Sequence, residues 1–119
     1  MLYSVGGKAA NDMPHEEEFQ AWRAQISDAE YQAMVDAVNA YCDGKQTFCT
    51  SWMPGTDKAI AAAFPPLTRA CGGNIEASGL FFGNIVWRAI VDRDDDWHFL
   101  PAEERDGKWI GVTYFRPDR

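Results

Sequence analysis

Residues 74–93, NIEASGLFFGNIVWRAIVDR, form the most apolar long segment of the chain, and the rest of the fold has to cover them. Asn74 suits a helix N-cap, because its side chain can accept from a free amide of the first turn, and Glu76 complements the dipole there. At about 100° per residue, Ile75, Phe82, Ile85, Val86, Ala89 and Ile90 gather on one broad face. Leu80, Trp87 and Val91 form a second stripe on another side. A helix that is apolar around most of its circumference is buried between layers. This one is too polar to span a membrane, which takes about 20 predominantly apolar residues. Gly79 and Gly83 each weaken a helix by roughly 1 kcal/mol relative to alanine, so close packing of another backbone is the expected compensation. Asp94, Asp95 and Asp96 would be unfavourable in a last turn, so the helix is expected to end near Arg93.

The flanking sequence predicts a pair of helices before this one. Pro14 suits a first helical turn, and Glu16, Glu17 and Glu18 match its dipole. Phe19, Trp22 and Ile26 then share a face, which gives a helix over about 13–26. Ser27 and Glu30 have the spacing of a capping box. Tyr31, Met34, Val35, Val38, Tyr41 and Cys42 follow at helical spacing, and Gly44 stands where a left-handed C-cap is wanted. That predicts a second helix over 28–43.

The strand signals are weaker. Leu2, Tyr3 and Val5 suit a short strand. Phe48, Thr50 and Trp52 alternate with Thr47, Cys49 and Ser51 over 46–53, and Pro54-Gly55 ends the run. Residues 57–64 read as a helical turn or two, and 67–71 as another short helix. Residues 97–100 are β-prone, Asp106-Gly107 is a hairpin signal, and 108–115 read as one strand, apolar on both sides. Segregated helices and a C-terminal hairpin predict an α+β domain. Its small antiparallel sheet of 3–4 strands would carry the central helix on one face and the helix pair outside. With 119 residues and no linker or repeat, the chain is expected to form one globular domain over 1–119.

Composition bounds function. A net charge of −7 disfavours direct binding of nucleic acid and leaves room for a basic protein partner. Residues 92–106 concentrate the acid: Asp92, Asp94, Asp95, Asp96, Glu103, Glu104 and Asp106 stand against Arg93 and Arg105. Cys42, Cys49 and Cys71 are too scattered for a disulfide framework or a zinc site, and the first ten residues hold no apolar run of signal-peptide length. Free thiols in a reducing cytoplasm are therefore expected, with no cofactor, no metal and no membrane contact. A small acidic chain of this character also fits the populations carried on integron cassettes or phages, an expectation that rests on no motif.

Each motif with a chemical reading also has a plainer one. His15-Glu16-Glu17-Glu18 lacks the second histidine of a zinc helix and reads as a solvated helix start. Asp94, Asp95, Asp96 and His98 could ligate a hard cation but lack the glycine and glutamate of a calcium loop. Cys49 or Cys71 would need a base such as His98 or His15 within reach, and no motif supplies one. Thr50 to Gly55 is the most site-like loop. Arg88 either pairs with Asp92 or faces a carboxylate or anion inside the fold. The leading expectation is a non-enzymatic binding or protein-interaction domain. It would self-associate as a homodimer, with Leu80, Trp87 and Val91 at the contact. The alternatives are a small enzyme or small-molecule binder with a pocket near Trp52, Arg88 and His98, and an acidic inhibitor that mimics nucleic acid.

Overall fold

Local signals decide the helices. The structure is a computed structural model and describes residues 1–4, 7, 9, 16–49, 65–100, 103–106, 108–110 and 112–116. Helix α1 spans Glu16–Arg23 and α2 spans Asp28–Asp43. The capping box before α2 forms as expected. The Glu30 amide donates to Ser27 Oγ at 3.1 Å, and the Ser27 amide donates to Glu30 Oε1 at 2.9 Å. The far end differs from expectation. Gly44 has φ −92°, so no left-handed cap forms. The helix instead tightens through bonds from the Gly44 amide to Tyr41 O and from the Lys45 amide to Cys42 O.

Helix α3, Pro65–Ala70, closes with a Schellman turn. Gly72 and Gly73 adopt φ of 64° and 86°, and their amides donate to Arg69 O and Thr68 O. Only glycine takes that pair of conformations without strain. The turn leads directly into the central helix α4, Ile75–Val91, whose Ala77 amide donates to Asn74 Oδ1 at 3.1 Å. Of the expected stripe, Phe82, Ile85, Val86, Ala89 and Ile90 are buried, and so are Phe81, Trp87, Ser78 and Asn84, while the side chain of Ile75 lies outside the described ones. Phe81 is what the periodicity left unassigned. It lies 5.8 Å from Phe19 and 5.6 Å from Trp22, ring to ring, and fastens α1 to α4. Helices α1, α2 and α3 all pack against α4, so the N-terminal pair shares its apolar face with the central helix instead of using it up internally.

The sheet has four strands in the order β1-β3-β6-β2: β1 Leu2–Ser4, β2 Thr47–Cys49, β3 Trp97–Leu100 and β6 Thr113–Phe115. The β2–β6 and β3–β6 pairs are antiparallel. The β1–β3 pair is parallel, so the sheet is mixed where an antiparallel one was expected. A parallel pair needs a long crossover, and the helical part of the chain lies between these two strands. The expected strand over 108–115 is two strands. β5, Lys108–Ile110, pairs with β4, Glu103–Arg105, in a separate ribbon, while β6 joins the main sheet. Gly111 stands between them in sequence, and glycine is where strands bend or break. Asp106, at φ 53°, turns the ribbon as the hairpin signal predicts.

Register sorts the sheet's two faces. Leu2, Trp97, Phe99, Tyr114 and Phe48 lie on one side, and all but Phe99 are buried. That side carries the helices: Trp87 of α4 meets Phe99 at 4.7 Å and Tyr41 of α2 meets Phe48 at 5.3 Å. Residues 13–15, 50–53 and 57–64, expected to be helix start, strand end and helical turn, lie outside the described residues. Among the described residues, no helix is long and apolar enough to cross a membrane.

Candidate functional site

The sequence singled out three ligand-binding candidates, and the two that are described, Arg88 and His98, lie apart. Trp52 lies outside the described residues, as does the loop from Thr50 to Gly55. Arg88 is exposed on α4 and donates from Nε to Asp92 Oδ2 at 3.2 Å, the helical pairing its spacing allows. His98 sits on β3 with its side chain on the face away from the helices, opposite Tyr3 and Phe115 in register. The sheet therefore stands between Arg88 and His98.

The acidic run divides in the same way. Asp94 and Asp96 are exposed, whereas Asp95 turns inward onto Arg93. Among the described residues, Arg93 is the best-connected polar side chain. It reaches Asp95 at 2.7 and 3.0 Å, Asp43 at 2.6 Å and Asn39 Oδ1 at 3.1 Å, and also donates to Asn39 O at 3.3 Å. Arg116, past the end of β6, completes the cluster. It approaches Asp95 at 3.4 Å, donates to Cys42 O at 2.9 Å and lies over the Trp97 ring at 4.7 Å. Two arginines thus meet carbonyls of the last turns of α2, where the helix dipole favours positive charge.

The electrostatics follow from those contacts. Hydrogen bonding to Arg93 outweighs partial burial and holds the Asp95 carboxyl down at about 2, with smaller help from Arg116. The Trp97 indole N–H also favours the ionised carboxylate. Arg93 is held charged still more firmly than usual, chiefly by its bonds to Asp95. An open groove of about 370 Å³ runs past Asn39, Asp92, Arg93, Asp94 and Asp95. Its central charges are already spent on one another, so it is built as a staple between α2, the end of α4 and the sheet. Sequence reading took Arg93 only as a helix end and gave Arg116 no role. The one available signal was a lone arginine amid four aspartates.

The two described thiols are poor nucleophiles. Cys42 is fully buried and desolvation pushes its thiol up to about 11. Cys71 is half-buried and also raised by burial, against a hydrogen bond with Ser78. The side chains of Cys49 and His15 lie outside the described ones. Among the described residues, no three His, Cys, Asp or Glu side chains gather at metal-binding distance.

The expected contact stripe on α4 is split. Leu80 is 54% exposed, Trp87 is only 8% exposed because Phe99 covers it, and Val91 packs partly against the core. What the described chain presents outward is the second face of the sheet. Tyr3, His98 and Phe115 form a row of half-buried rings across β1, β3 and β6, with centroids 5.6 and 5.5 Å apart. Thr47 extends the row onto β2, and Leu100, 45% exposed, lies beside it opposite Thr113. Such a surface is suited to docking flat apolar and aromatic groups. Comparison of the chain with protein-family models, with curated proteins and with solved structures finds no match.

Proposed function

We propose that the chain is a non-enzymatic protein-interaction domain that pairs with a second copy of itself through the outer face of its sheet. The observation that carries this reading is the row Tyr3–His98–Phe115 with the exposed Leu100 at its side. Charge selects the occupant. Copies that each carry −7 repel one another, so a contact between them belongs where acid is missing. The described side chains of this face (Tyr3, Thr47, His98, Leu100, Thr113 and Phe115) include no carboxylate. A basic partner would instead be drawn to the acidic loop around Asp94 and Asp96. Twofold pairing is the commonest way for identical chains to cover a shared apolar surface. Consistent with a binding role, the chain's polar cluster is internally neutralised and its buried thiol is held protonated.

Light scattering at micromolar concentration tests the reading. The expected result is a dimer that Leu100→Lys converts to monomer without loss of thermal stability, because Leu100 is exposed in the single chain. A wild-type monomer overturns it. A dimer indifferent to Leu100→Lys moves the contact off this face.

A further inference from the structure

We draw no further inference here: the strongest candidate, the open strip on the central helix where Gly79 and Gly83 lie beside the exposed Leu80 and the unbonded Asn84 amide, carries nothing because nothing in the structure shows what covers it.

Discussion

Asp95 decides more than its neighbours in the acidic run, because it alone turns onto Arg93 and Arg116. Its folded pKa, about 2, lies below the ordinary aspartate value of about 3.9. A depressed carboxyl stabilises the fold above the unfolded value, and that contribution drains away as pH falls towards the folded one. Asp95→Asn should therefore lower stability at pH 7 by about 1 kcal/mol, discounted for a side chain that solvent partly screens. The gap between variant and parent should close between about pH 5 and pH 2. Urea midpoints across that range check it, and a gap of equal size at both ends would remove Asp95 from the acid response. The sequence hid this cluster for a physical reason. An arginine among aspartates reads as solvated, and only the fold brings Asn39 and Asp43 of α2 to its other side.

Among the elements, legibility followed the range of the signals. Helix α2 matches its expected span because its signals, the Ser27/Glu30 box and an unbroken apolar repeat, are local. Ser27→Ala should lower stability by about 1 kcal/mol, read as a shift in denaturant midpoint. An unchanged midpoint would mean that the box contributes nothing. The strands were less legible, since pairing depends on distant residues. Residues 108–115 alternate with only Gly111 to mark a break, yet their two halves join different sheets. Strand β1 gave no hint that its partner would run parallel. The helix glycines were misread in a more useful way. Among the described residues, no atom beyond the helix's own backbone lies within 4 Å of where a Cβ at Gly79 or Gly83 would sit, so none of them supplies the expected close packing. Gly79→Ala should then raise stability by about 0.5–1 kcal/mol, by removing backbone freedom from the unfolded chain. Thermal melts at low protein concentration would show it, and a loss of stability would mean that something does pack there.

For the whole molecule, charge and surface pull in opposite directions. A chain at −7 gains solubility from self-repulsion, yet the proposed pairing brings two such chains together. Added salt should therefore tighten the dimer by screening that repulsion, most visibly between low and physiological ionic strength, where the Debye length falls to about 8 Å. An acidic mimic gripping a basic partner would weaken over the same range, so the sign of the salt effect separates the two readings. The central place of α4 was legible from periodicity, but the helix pair does not lie wholly outside it, since α2 reaches the sheet through Tyr41 and Phe48. Which side His98 would face was not legible, because a one-residue change in the start of β3 would exchange the two faces.

The strand order β1-β3-β6-β2 also sets the time course of folding. Leu2 meets Trp97, and Phe48 meets Tyr114, so each edge strand closes most of the chain into a loop before its first bond forms. Loop closure of that length is entropically costly, whereas the described helices nucleate from neighbouring residues. The helical layer is thus expected to assemble first, with the sheet zipping onto it late. Stopped-flow kinetics make the distinction measurable: Ser27→Ala should slow refolding, while Phe48→Leu should act mainly by hastening unfolding. If Phe48→Leu slowed refolding instead, the sheet would belong to the nucleus, and the molecule would be made from its two ends inward.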